Sequence, residues 1–277
     1  MARKPAFISH SPEREAQIQS RMLNVLEARF RRRFAAAIVA EAGRILAGYR
    51  DLGYVPPVGD DHLQDLRRVY QQLALDAARV FGRRVMTQGK AMGFVLETKQ
   101  ETLSEFFRAL ALAWINLEPI RRRIQSVSET TRAQIVALVA RGQDEGLGVD
   151  AIARDIEDRL PDIGRYRGAL IARTETHGAA NYAMHETAKS TGLELEKEWV
   201  SVEDARTRSI PRDDAFDHVA MNGQRRPMDE PFDMPWIGGA GEPLKIMYPG
   251  QAGLPGGATI NCRCAVVHQV RGGLLGD

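Results

Sequence analysis

The amino-acid sequence predicts an α+β protein: a helical N-terminal region of long amphipathic helices, then a compact domain with a long helix packed on a small antiparallel β-sheet. Three observations predict it. Apolar residues recur at spacings of three and four through most of the first 190 positions, the helical period. The pattern turns to alternation after Gly192, and residues 222–258 hold 14 Gly and Pro, too many for a helix. The expected divisions are a helical, partner-binding or oligomerising region over 1–125, a compact domain over 126–270 and a short tail over 271–277.

With 277 residues, 44% hydrophobic and 27% charged, the chain can bury a sizeable core without disulfide staples. No apolar run approaches the ~18–20 residues of a membrane span. The start, Met-Ala-Arg-Lys-Pro, lacks the apolar segment of a secretory signal, so a protein made and kept in reducing cytoplasm is expected. The net charge of +2 is unevenly spread. Residues 1–100 carry 17 Lys/Arg against 10 Asp/Glu, 101–200 carry 13 against 16, and 201–277 carry 8 against 10.

Taken in order, Ser11-Pro12-Glu13 reads as an N-cap, a proline in the first turn and an acid beside it. The helix it opens carries Ile18, Met22, Val25, Leu26, Phe30, Phe34, Ile38, Ala42, Ile45 and Leu46 on one stripe to about Tyr49. Arg29, Arg31, Arg32 and Arg33 form a basic cluster suited to nucleic-acid phosphate, an acidic protein surface or plain solvent. Gly53-Tyr54-Val55-Pro56-Pro57 breaks the helix. Periodicity resumes from Asp60 through Phe81, and again from Thr102 to Leu117, where Glu118-Pro119 ends or kinks it. Ser126-Val127-Ser128-Glu129 has capping-box spacing and predicts a helix closing near Gly142.

A short helix over Val149–Leu160 and a long one over Ile163–Lys189 are expected next. A helical wheel gives the long helix a core face of Tyr166, Leu170, Arg173, His177, Ala180 and Met184, with Glu175 and Glu186 opposite. Arg173 would then need a partner, and Asp204 or Glu203 is expected to clamp it to the sheet. Leu195–Val202 reads as a strand, Asn222-Gly223 as a hairpin turn, and Thr259–Val267 as the closing strand.

The only cysteines, Cys262 and Cys264, share one face of that closing strand. Same-face strand neighbours lie about 6.5 Å apart, too far for the ~4 Å Cβ separation of a disulfide. They can share a metal ion or pack in a small polar core.

An ordered set of motifs carries a resemblance. It comprises Glu129-Thr130-Thr131-Arg132-Ala133-Gln134-Ile135, Gly146-x-Gly148 with Ile152, and Ile171-Ala172-Arg173-Thr174-Glu175-Thr176 with Asn181. Trp199, Asp204-x-Arg206-Thr207-Arg208, His218 and Asn222-Gly223-Gln224 follow, then Met247-Tyr248-Pro249-Gly250 and Ile260-Asn261-Cys262-Arg263-Cys264. Together they resemble the Mu F-like family of phage minor head proteins, also called phage head morphogenesis proteins. The resemblance implies a virion component of a tailed phage or prophage, in several copies, acting in head assembly at the portal vertex and in packaging or ejection of double-stranded DNA. Implied partners are the portal and major capsid proteins. Residues Arg173, Asp204, Arg206, Asn261 and Arg263 become the architectural candidates.

The family also bears on the cysteines. Many relatives carry a Cys-x-x-Cys upstream and a His before the Cys-x-Cys, which together look like a zinc knuckle. Here His218 stands where the second upstream cysteine would be, and Thr259-Ile260 occupies the place of the histidine. Cys262, Cys264 and His218 remain as candidate zinc ligands, with Asp204 or His268 as the fourth; packing without metal is the other reading. The strongest catalytic constellation, Arg173, Glu175, His177, His218 and the thiols, lacks a recognisable motif: no Walker loop, nucleophile elbow or His-Glu-x-x-His occurs. A binding and assembly role without catalysis is expected, with DNA binding by the basic N-terminal helices as the alternative.

Overall fold

The computed structural model describes residues 10–91 and 100–271, so the expected tail lies, but for Arg271, outside the described residues. The α+β class holds: seven helices and five short strands are described, with all strands after residue 194. No described helix is long and apolar enough to cross a membrane.

Helix α1 spans Pro12–Leu52. Ser11 caps it, its Oγ accepting from Arg14 N at 3.3 Å, and Gly53 stops it at φ +72°. After the proline break come α2 (Gln64–Ala77), a π-helical turn at Ala78–Gly82 and α3 (Arg83–Ala91). Helix α4 (Gln100–Asn116) ends where Leu117 turns extended, and α5 (Glu118–Asp144) starts with Pro119 in its first turn. The predicted capping box is therefore inside α5. Proline needs no hydrogen bond in a first turn, so the helix nucleates before Ser126, and the Thr130 and Thr131 hydroxyls bond back to the carbonyls of Ser126 and Val127.

The two helices expected beyond Gly148 are one, α6 (Val149–Ser190), with Pro161 inside it. Buried Ile156 and Leu160 before the proline and buried Gly164 and Gly168 after it anchor both flanks, which offsets the missing hydrogen bond. The predicted core face holds in its C-terminal half, where His177, Ala180 and Met184 are buried, and departs from expectation in its N-terminal half. Tyr166 is 78% exposed and Leu170 sits at the surface, whereas Glu175 is buried. The contacting side around 164–168 is the glycine side: a Cβ on Gly168 would lie 2.6 Å from Ala35 N, and one on Gly164 2.6 Å from Val39 Cγ2. A wheel weighted by large apolar residues overlooks a face built from their absence. From Thr174 to Asn181 the helix is buried all round, so Glu175 has no solvent side.

The chain forms two compact units that interleave in sequence. One comprises Glu27–Leu73 and Ile115–Arg173. Its core joins Ala42, Ile45, Leu46 and Tyr49 of α1 with Ile135 and Val139 of α5 and Ile152, Ile156 and Leu160 of α6. Arg132 donates to the carbonyls of Val55 and Pro56, so the proline break is held by a guanidinium from α5.

The other unit comprises the chain up to Leu26, Ala74–Trp114 and everything from Thr174. Its sheet has the order β2-β1-β5, all antiparallel, with β1 at Leu195–Val200, β2 at Arg225–Pro227 and β5 at Ala265–Val270. Lys197 faces His268 and Trp199 faces Val266. A second ribbon pairs β3 (Phe232–Met234) with β4 (Leu244–Ile246). Fully buried Trp199 meets Phe232 edge-on at 5.4 Å, joining the two sheets. Asn222-Gly223 does turn the chain toward β2, Gly223 at φ +76° donating to Trp199 O.

The last strand differs most from expectation. Residues Gly256–Thr259 form a single helical turn, α7; Asn261 adopts φ +56°; and pairing starts only at Ala265. The amides of Ile260 and Cys262 bond to Gly256 O and Thr259 O, so this stretch is a turn with no ladder partner. Gly257 permits it by approach: a Cβ there would fall 2.4 Å from the Phe216 ring.

Candidate functional site

The turn ahead of β5 brings together what the sequence placed apart. Although Cys262 and Cys264 do not lie on a strand, both Sγ atoms sit 3.6 Å from His218 Nδ1, and all three side chains are buried. His218 Nε2 lies 3.2 Å from Gly257 O. A carbonyl only accepts, so this hydrogen bond assigns the proton to Nε2 and leaves the Nδ1 lone pair facing the sulfurs. A metal-binding histidine is held by this kind of bond from its outer nitrogen to a backbone carbonyl.

The thiols respond to each other. Cys264 is held well below the ordinary thiol range, first by a hydrogen bond from the Cys262 thiol, against the effect of burial. Cys262 is pushed up by that same shared proton and by burial. Around them the backbone is tied down. Ser201 Oγ donates to His218 O, His218 N donates to Arg208 O at 2.9 Å, and His177 Nε2 of α6 donates to Cys264 O at 2.7 Å.

A second layer is ionic. Asp204 accepts from both Arg263 terminal nitrogens, at 2.6 and 2.7 Å, and from Arg206 N at 2.9 Å. The Arg263 guanidinium is the main reason its carboxyl lies far below the usual range. Arg206 Nη2 adds a longer contact at 3.4 Å, and Arg208 donates to Ile260 O at 2.8 Å. Asn261 takes the left-handed conformation that its residue type tolerates, and its amide donates to Thr174 Oγ1 of α6. Asp204, Arg206, Asn261 and Arg263 are thus gathered around the thiol pair.

Arg173 is not among them. It pairs with Glu27 of α1 at 3.3 Å, in place of the expected Asp204 or Glu203, and Asp204 is already taken by Arg263. The proposed fourth ligands fail as well. Asp204 is committed to its arginines, and His268 is on β5 opposite Lys197. Among the described residues, the donors that converge are three, within 4.8 Å of one another. In the N-terminal basic cluster, Arg31 pairs with Glu27, Arg33 lies over the Phe30 ring at 5.1 Å, and Arg29 and Arg32 are exposed.

Sequence reasoning missed a second buried group. Lys197 is fully buried, its Nζ 2.9 Å from Met247 O and 5.1 Å from the Phe232 ring centroid. Burial lowers its pKa to about 8 and that of nearby His268 to about 4. Strand alternation within Leu-Glu-Lys-Glu-Trp-Val carries the signal, since it places Lys197 on the inner face with Leu195 and Trp199. The Met247-Tyr248-Pro249-Gly250 motif also finds its reason here. Gly250, at φ +76°, lies against Gly178 of α6, and a Cβ on Gly178 would sit 2.9 Å from Gly250 O.

A helix laid on a short antiparallel sheet, with a Cys-x-Cys turn locked by histidine and arginine, makes a small α+β module. Residues 133–267 match the family model described as Phage Mu protein F like protein. This stretch, which holds the whole site, is similar to that family. No curated protein and no solved structure matches the chain significantly.

Proposed function

We propose that this chain is a minor head protein of a tailed phage or prophage, working without catalysis at the portal vertex, where it docks portal or major capsid subunits. The observation that carries the reading is the Mu F-like match over the residues that build the site. The site's chemistry supports it: the donors of His218, Arg263, Arg208 and Ser201 are spent on backbone carbonyls and Asp204, which fixes loops to the sheet. Because α1 and α6 each serve both compact units, whole-chain point variants test the role better than truncation at residue 125. Co-expressed with its portal and major capsid proteins, the full chain is expected to sediment with procapsids. Free sedimentation at all salt concentrations would sink the assignment. Paired substitutions Arg29→Glu and Arg32→Glu that abolish co-sedimentation would place recruitment on α1. Salt-dependent retention of the free protein on DNA, lost in the same variant, would favour the DNA-binding alternative.

A metal reading is favoured by the donor set. Two sulfurs and an unprotonated imidazole nitrogen within 4.8 Å suit zinc, with His218, Cys262 and Cys264 as the residues that would hold it. Zinc there would supply a cross-link of the turn to the 201–218 loop. Elemental analysis of the purified chain is expected to give about one zinc per chain, lost in the Cys262→Ser/Cys264→Ser variant. A zinc-free wild-type chain that stays zinc-free on titration overturns it.

A further inference from the structure

We propose that Cys262 and Cys264 form a reversible intramolecular disulfide in the metal-free chain, making the turn before β5 a redox-closed clasp. The inference stands apart from the head-assembly reading and starts from the departure from strand geometry. On a paired strand the two thiols would be kept about 6.5 Å apart. Here residues 260–264 precede the first ladder pair, with Asn261 at φ +56°, so no strand pairing holds the thiols apart. Both sulfurs converge on His218, all within 4.8 Å. Closure to a bond of ~2 Å then asks for rotation of the two side chains and a small shift of a turn.

Access is built into the same place. A cavity of about 20 Å³ is lined by Cys262, Cys264 and His218 together with Arg206, Arg208 and Arg263. That volume holds roughly one water-sized molecule. A space of that size is far too small for a tripeptide disulfide, and hydrogen peroxide, a two-electron oxidant of two oxygens, is the oxidant class of the proposal. In the first step one thiol sulfur takes a peroxide oxygen. The O–O bond breaks, and the thiol proton joins the departing hydroxide as water, leaving a sulfenic acid. The second sulfur then displaces hydroxide from that sulfenic acid, and its own proton completes a second water. Two thiols are oxidised by two electrons and one hydrogen peroxide is reduced to two waters. The disulfide consumes both sulfur ligands, so metal loading and oxidation exclude each other.

The test uses the full chain stripped with a chelator, treated with hydrogen peroxide, alkylated and digested with trypsin. Trypsin cuts after Arg263, between the two cysteines, so a Cys262–Cys264 bond holds the peptides Ile246–Arg263 and Cys264–Arg271 together as one species. That species is expected about 2 Da below the sum of its two thiol peptides and released by dithiothreitol. It should form at least tenfold faster from the folded chain than from the urea-unfolded chain. The Cys264→Ser chain, checked for folding by circular dichroism, should give none. Complete alkylation of both thiols after peroxide, oxidation that stops at sulfinic acid, only intermolecular links, or equal folded and unfolded rates would each overturn the clasp.

Discussion

Gly168→Leu is expected to unfold the helical unit at temperatures where the wild type stands, and Gly168→Ala to weaken it measurably. Helices α1 and α6 approach at Ala35, where a Cβ at position 168 would come within 2.6 Å of Ala35 N and 2.9 Å of Ala35 Cα. The contact is backbone, so no flexible side chain can give way, and the helices must separate. Overpacking of this kind costs about 1–3 kcal/mol for small insertions and more for a leucine. The helix-propensity gain of at most ~1 kcal/mol for alanine does not cancel it. Gly43→Ala provides the control of opposite sign. Gly43 is on the exposed side of α1, and nothing lies within 4 Å of the point a Cβ would occupy, so alanine there should stabilise by about 0.5–1 kcal/mol. Thermal unfolding of the three whole-chain variants reads both signs. Equal midpoints for Gly168→Leu and wild type would show that the two helices do not need the close approach.

That glycine face marks where legibility in the sequence ended. Periodicity found α1, the break at Gly53, the end of α4 and β1, because each rests on a local signal: a serine cap, a positive-φ glycine, a proline, an alternation. It misread α6 because helix contacts made by small residues leave no hydrophobic peak, and because a proline between two well-buried segments reads as a stop. The site was legible as a list of residues and only partly as geometry. His218, Cys262, Cys264, Asp204, Arg206 and Arg263 do gather, but through a turn that the period-two reading of 259–267 had straightened into a strand. Arg173 was placed by helical phase alone, and phase does not say which carboxylate stands opposite it.

The second large effect concerns a carboxyl that no pattern singles out. Glu41 of α1 is fully buried, and neither of its oxygens has a hydrogen-bond partner among the described residues. The groups that face it are Arg167 of α6, Arg44 of its own helix and Asp65 of α2. Both guanidiniums are engaged elsewhere: Arg167 with Thr131 Oγ1 and Val127 O, Arg44 with Asp65 and His62 O. Burial therefore wins over their attraction and raises the Glu41 pKa from 4.5 to about 7. An acid whose folded pKa is raised binds more protons folded than unfolded. Stability is unaffected by this group below pH 4.5, falls as pH rises from 4.5 to about 7, and stays reduced above that. The loss is of order 3 kcal/mol at pH 8. Glu41→Gln keeps the shape and removes the ionisation, so it should match the wild type at pH 4 and exceed it by about 2–3 kcal/mol at pH 8. Urea unfolding of both chains across that range measures the difference directly. A difference that does not change with pH would mean that Glu41 finds a partner when it ionises, Arg167 or Arg44 turning toward it.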